Sequence, residues 1–277
     1  MKQPRLSLRR RLKSPALIVG WNTDVGKLGL KVTEYLNNKL DSEYIDEIEP
    51  TDFFPLGGVT IEDDIVRFPE NKLYACPKRD VMIFKGDAPS YEWYKFFNLI
   101  LDMSEHHGPV KEVYVIGGMV LLGAHTTPRE LVPVFNSPEL KQALSQYNLG
   151  KNMDYQTPPG QRPTLNSFLL WTARQRKKPA VSLWVPIPFY LVAVEDPNAQ
   201  RKILEFLDRR LNLNIDFSDI DEEARKQNEK LERVRASFPE INDYISKLES
   251  NMRLSEKENE ELAKQIQEAL TPKGLEV

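Results

Sequence analysis

The feature that most narrows the fold of this chain is an alternation. Short apolar runs take turns with segments whose apolar residues recur every three or four positions. Ala16 to Gly20 is the first run, and Val25, Leu28, Val32, Leu36 and Leu40 follow at helical spacing. "EYIDEIEP" resumes strand character, and "RDVMIFKG" and "KEVYVIGG" read as buried strands. Between the last two lies a helix carrying Trp93, Phe96, Phe97, Ile100 and Leu101, closed by Gly108. Ser137 and Pro138 open a short helix, and Leu165, Phe168, Leu169 and Thr172 mark another. "PAVSLWVPIPFYLVAV" begins as a strand, and Asp196-Pro197 starts a helix through Leu211. Such alternation predicts an α/β fold, a mostly parallel central sheet sandwiched by helices.

Three stretches depart from the pattern. "GGVTIEDDIVRFPENKLYACP" reads as a meander of short strands, with Glu62, Asp63 and Asp64 as a solvated acidic turn. Met119 to Asn136 reads as a long irregular loop. Pro186 and Pro188 cannot donate to a ladder, so central pairing is expected to end near Val185. After Phe217 strand signals cease, and three helices fit. The second carries Ile241, Tyr244, Ile245, Leu248 and Met252 on one face, and the third opens with the capping-box pair Ser255 and Glu258. The expected organisation is a basic flexible arm over 1–14, an α/β core over 15–217, a helical appendage over 218–271 and a tail over 272–277. The appendage covers the sheet or a neighbouring subunit.

Composition excludes several classes. A net charge of −3 argues against general nucleic-acid affinity. The single cysteine, Cys76, allows no intrachain disulfide and suits a cytoplasmic protein. No window is long and apolar enough for a membrane span. The arm "MKQPRLSLRRRLKSP" lacks the apolar core of a signal peptide, and reads as a solvated tail or an anionic-surface tether.

The glycines after the first strand invite a nucleotide-binding reading, and the spacing fails it. Five residues separate Gly20 from Gly26, one more than a phosphate-binding P-loop allows, and Leu28 follows Lys27 where Ser or Thr would hold magnesium. Asn22 breaks the dinucleotide fingerprint. Gly26 and Gly29 suit a tight strand-to-helix turn, although a helix N-terminus can still attract an anion. His106 and His107 are adjacent at a helix end and point apart, so they make poor co-ligands. No paired-cysteine or paired-histidine metal spacing exists, and no G-x-S-x-G elbow. His125 is the imidazole of interest. It follows a strand end, where α/β proteins form their binding crevice. Asn22, Asp24, Gly26, His125, Arg129 and Trp184 are the candidate ligand or anion crevice; in the blander reading, His125 and Arg129 only order their loop. No catalytic residue, metal or cofactor is assigned.

The segments "PALIVGWNTDVG", "DVMIFKGDAPSYEWYKFF", "VYVIGGM" with "AHTTPRE", "KKPAVSLWVPIPFYL" and "SEKENEELAKQIQEAL" occur in an order and spacing that resemble the proteasome assembly chaperone two family, in its bacterial branch. The resemblance implies a nucleoside-phosphorylase-like α/β sandwich with a helical C-terminal region, in members that self-associate or pair with relatives. Eukaryotic members chaperone assembly of the proteasome α-ring, and some archaeal relatives engage the proteasome. The role of bacterial members is unsettled, and the label of an ATP-grasp-type carboxylate–amine ligase has been attached to some. It supplies no catalytic residues. This chain departs from the pattern in having fewer glycines in "WNTDVG", Phe189 where relatives place His, and no Tyr in its final Gly274-Leu275-Glu276-Val277.

The expected function is therefore a non-catalytic, oligomeric, protein-binding or assembly-chaperone-like role. The alternative is an enzyme acting on a nucleotide-like or anionic small molecule, phosphorylase-like or a ligase. "YEWYKFFNLIL" holds more large apolar residues than one sheet-facing stripe needs, which predicts a homo-oligomer, for instance a trimer, with another protein as a further partner.

Overall fold

The computed structural model describes residues 12–62, 64–150 and 153–271. The first eleven residues of the basic arm, Asp63 of the acidic turn and the 272–277 tail lie outside the described residues.

Seven strands form one sheet: β1 (Ala16–Trp21), β2 (Glu43–Glu47), β5 (Asn71–Cys76), β6 (Val81–Gly86), β7 (Glu112–Leu121), β8 (Val132–Phe135) and β9 (Ala180–Pro188). Their order is β2-β5-β6-β1-β7-β9-β8. A separate hairpin holds β3 (Thr60–Glu62) and β4 (Ile65–Arg67). The helices are α1 (Leu28–Lys39), α2 (Trp93–His107), α3 (Pro138–Ala143), α4 (Leu165–Gln175), α5 (Pro197–Leu211), α6 (Ser218–Ser237), α7 (Pro239–Glu249) and α8 (Glu256–Leu270).

The expected mostly parallel sheet is mixed instead. The central strands β6, β1, β7 and β9 run parallel, while β2, β5 and β8 are antiparallel to their neighbours. For β5 and β6 the reason is connection length: Cys76 and Val81 are joined by one short turn, and a tight connection joins antiparallel neighbours only. The stretch expected as loop from Met119 to Asn136 also contains the end of β7 and all of β8. β8 holds four residues, too few to show a period.

The two prolines do not end β9. Its even-numbered residues Ser182 and Trp184 face β8, and its odd-numbered residues bond to β7. The nitrogens of Pro186 and Pro188 therefore point toward the β8 side, where pairing has already stopped at Trp184. No ladder bond is lost, and β7 pairs with β9 through Leu121 and Pro188.

Period-two alternation divides β1 between two cores. Ala16 and Ile18 join α1, α5 and the buried faces of α6, α7 and α8 on one side. Leu17, Val19 and Trp21 join α2 and α4 on the other. Most of the aromatic surplus of α2 is absorbed within the chain. Phe96 and Phe97 are fully buried, and edge contacts link Trp93, Phe97 and Phe168. Asn166 is buried without loss, because it accepts from Trp21 Nε1 at 2.8 Å and donates to Ser182 Oγ at 2.9 Å and to the Ile116 carbonyl at 3.2 Å. At the start of the described chain, Leu12 is buried, and the Lys13 and Ser14 N–H groups donate to the Asp80 carboxylate. Of these residues, all within the stretch expected as a flexible arm, Leu12 is packed and the other two are exposed but hydrogen-bonded.

Candidate functional site

The turn from β1 into α1 is built around Asp24. Its carboxylate accepts from the N–H groups of Val25 at 2.7 Å and Gly29 at 3.3 Å, and from Gly118 on β7 at 2.9 Å. A three-residue 3-10 turn, Val25–Lys27, intervenes before α1. Gly26 sits there at φ +63°, in the left-handed region that glycine enters freely. A Cβ at Gly26 would lie 2.9 Å from Ile187 Cδ1, and one at Gly118 would lie 2.5 Å from the Val25 carbonyl. The space beside Gly26 is thus filled by β9, and the N–H groups that would greet an anion already hold a carboxylate. Burial pushes the Asp24 carboxyl up to about 7, against the opposing effect of its backbone N–H bonds.

His125 and Arg129 lie in the loop after β7, held from two directions. The His125 N–H donates to the Tyr190 hydroxyl at 2.6 Å, and His125 Nδ1 lies 2.9 Å from that oxygen. Burial, with Arg235 and Arg129 nearby, pushes the imidazole down to about 4, so the ring is neutral beside the Tyr190 hydroxyl. Arg129 pairs with Asp196, whose other oxygen caps α5 by accepting from Ala199 N at 3.0 Å. From above, Thr126 Oγ1 donates to Glu249 of α7 at 2.8 Å, and Arg235 of α6 bonds the same carboxylate at 2.9 Å. The C-terminal helices thereby clasp the loop.

The six residues singled out in the sequence occupy four settings. Asp24 and Gly26 meet at the β1–α1 turn, against Ile187. His125 and Arg129 share the far side of the segment after β9, and border a groove of about 540 Å³ shared with Asn198 and Lys202 of α5 and Asn228 and Glu232 of α6. Trp184 is on the opposite face of the sheet: its ring packs over Gly117, beside Asn166, whereas Gly118 and Ile187 face Asp24 and Gly26. The Asn22 N–H extends the β1–β6 ladder to the Gly86 carbonyl at 2.8 Å, and its buried Oδ1 has no partner among the described residues. Sequence reading missed Tyr190, Gly118 and Glu249. Asp196 announced itself as a helix cap, but its pairing with Arg129 spans 67 positions and leaves no local signal.

Asp24 and His125 give stability opposite pH slopes. The Asp24 carboxyl rises from its ordinary 3.8 to about 7, so its contribution is complete below pH 3.8 and is lost as pH rises through 7. The imidazole drops from 6.5 to about 4, so its contribution is complete above pH 6.5 and is lost as pH falls through 4. In the wild type the two largely cancel between these limits. The urea midpoint of Asp24→Asn is expected to rise with pH across that window, and that of His125→Gln to fall. Parallel profiles for all three proteins would show that neither group is desolvated.

No group of three or more His, Cys, Asp or Glu among the described residues is placed to hold a metal ion. No helix of the described residues is long and apolar enough to cross a membrane.

The model of the PAC2 family matches residues 17–235 of this chain. Its fold is similar to the crystal structure of a PAC2 family protein from Streptomyces avermitilis, with a TM-score of 0.68 and 19% identity over 84% of this chain and 100% of that one. It is equally similar to a proteasome-assembly chaperone homologue of Mycobacterium tuberculosis, with a TM-score of 0.68 and 18% identity over 83% and 99% of the two chains. PbaB of Pyrococcus furiosus, an archaeal proteasome activator, gives a TM-score of 0.65 and 21% identity over 82% and 96%. Among curated protein sequences none matches significantly. At these identities the structural likeness speaks to the fold.

Proposed function

Because the chain belongs to the PAC2 family, we propose that it is a non-catalytic member that self-associates and binds other proteins in the manner of an assembly chaperone. The observation that carries this reading is the β3–β4 hairpin. Val59, Ile61, Ile65, Val66 and Phe68 are 49–73% exposed within ten residues of chain. Among the described residues the hairpin pairs only with itself, and a lone two-stranded hairpin is marginal in water. An apolar patch so exposed is the mark of an association surface. Two further observations support the reading. The donors at the β1–α1 turn are already spent on Asp24, which disfavours an anion-using enzyme. Two of the similar folds belong to a proteasome-assembly chaperone homologue and an archaeal proteasome activator.

Light scattering tests the reading. The wild type is expected to run as a homo-oligomer, for instance a trimer, at micromolar concentration. The double variant Ile61→Asp/Phe68→Asp is expected to give a smaller particle with an unchanged circular dichroism spectrum, because these side chains are exposed in the monomer. A purely monomeric wild type would overturn self-association through this hairpin.

A further inference from the structure

One open edge of the main sheet carries a site of its own. β8 is the outermost strand on one side, as β2 is on the other. Two bonds fix which of its backbone groups face outward. The Asn136 N–H donates to the Ala180 carbonyl of β9 at 3.0 Å, so even-numbered residues face the sheet. On the other side the Gly150 N–H donates to the Leu131 carbonyl at 2.9 Å, so odd-numbered residues face away. The carbonyl of Pro133 and both the N–H and carbonyl of Phe135 consequently point outward, with no partner among the described residues. Gly150 pairs with this edge at Leu131, and no other backbone bond to it from outside β9 is made among the described residues.

Beside these groups runs a groove of about 830 Å³. Phe135, Tyr147 and Leu149 contribute apolar walls, and Lys141 and Arg174 contribute cations against one acid, Asp154. Neither Lys141 nor Arg174 has an ion-pair partner among the described residues, whereas the neighbouring Arg176 and Lys178 are both paired. Unused backbone groups reward only a ligand that brings a backbone of its own, and unpaired cations reward one that brings carboxylates.

We propose that this groove binds an extended peptide segment of a partner protein, which adds to the β8 edge through Phe135 and sets acidic side chains against Lys141 and Arg174. Strand addition of this kind draws affinity from main-chain bonds and specificity from alternate side chains. Pro133 supplies no N–H, so it fixes the register: the peptide's N–H must meet the Pro133 carbonyl, and its own amide groups pair with Phe135. The segment is short, apolar on the side chains that enter the groove, and acidic beside them. This site is independent of the β3–β4 hairpin, which lies on its own two-stranded sheet.

The test is fluorescence anisotropy with a labelled peptide of alternating valine and glutamate. The controls are the same peptide with lysine in place of glutamate, and a version N-methylated at alternate residues. The acidic peptide is expected to bind about tenfold more tightly than the lysine peptide, and N-methylation on the pairing edge is expected to cost about tenfold. Lys141→Glu/Arg174→Glu, two exposed positions, is expected to reverse the preference toward the lysine peptide. Ile61→Asp/Phe68→Asp is expected to bind like the wild type, which separates this site from the hairpin. Equal binding of acidic and lysine peptides, undiminished binding after N-methylation, or no binding at about 1 mM would each overturn the proposal.

Discussion

Asp196→Ala is expected to destabilise the protein by about 3–5 kcal/mol, because it strands a guanidinium inside the fold. Asp196 is 1% exposed, and the side chain of its partner Arg129 only 7%. One carboxylate oxygen takes the Arg129 guanidinium and the other caps α5 at Ala199. Removing the side chain ends both contacts, and loss of the cap adds roughly 1 kcal/mol. Domains of this kind have about 5–15 kcal/mol in total, so the variant stands near the threshold of folding. Asp196→Asn keeps a capping oxygen and loses the charge, and should fall between Asp196→Ala and the wild type. Arg129→Met combined with Asp196→Asn should recover part of the loss, since no buried charge then remains. Urea midpoints with unchanged slopes decide the matter. An Asp196→Ala midpoint equal to that of the wild type would mean that water reaches Arg129.

Gly29→Val should be the most damaging change in the glycine turn, at about 3 kcal/mol or more, the upper end of overpacking. A Cβ at Gly29 would lie 2.7 Å from the Trp21 nitrogen and 3.1 Å from the Gly20 Cα. One at Gly20 would lie 2.4 Å from the Gly29 carbonyl oxygen. These neighbours are backbone of the central strand and cannot give way, so α1 must lift off β1. Gly26 is different. Its obstruction is the tip of the Ile187 side chain, which can turn aside, and its main cost is the left-handed backbone, roughly 1–2 kcal/mol for a residue with a Cβ. Gly29→Val is therefore expected to cost more than Gly26→Ala, even though Gly29 lies within a helix, where replacing glycine ordinarily helps. The reverse order in thermal or urea unfolding would show that strain at the turn, not the α1–β1 contact, dictates the glycines.

Local chemistry wrote itself plainly into the sequence. The capping box of Ser255 and Glu258, the Pro-initiated helices at Pro138 and Pro197, the stop at Gly108 and the stripe of Ile241, Ile245 and Leu248 all stand where periodicity and capping place them. Each depends on residues within a few positions. Strand direction and sheet order depend on which strands meet, and no short pattern records that; hence the antiparallel edges and the persistence of β9 past its prolines. The candidate crevice was legible in the same uneven way. That "NTDVG" touches the end of β7 followed from the position of strand C-termini, and the Asp24–Gly118 bonds realise it. That Trp184 faces away from Gly26 follows from the parity of β9 against Ile187, which requires the strand's register and extent. The grip of Tyr190 and Glu249 on the 125–129 loop joins residues 65 and 123 positions away.

The place of β1 at the centre of the sheet has a consequence for biosynthesis. The strand made first is the one that needs both neighbours: Ala16 pairs with Val81 on one side and with Glu112 on the other. As the chain leaves the ribosome, Leu17, Ile18 and Val19 have no ladder partner until Met82, Ile83 and Phe84 have emerged, and they are flanked on both sides only once Val115 has followed. At elongation rates of about 5–20 residues per second, that leaves an unpaired apolar strand waiting for several seconds. Until both neighbours arrive, β1 is an unpaired apolar edge, the kind of strand most exposed to aggregation.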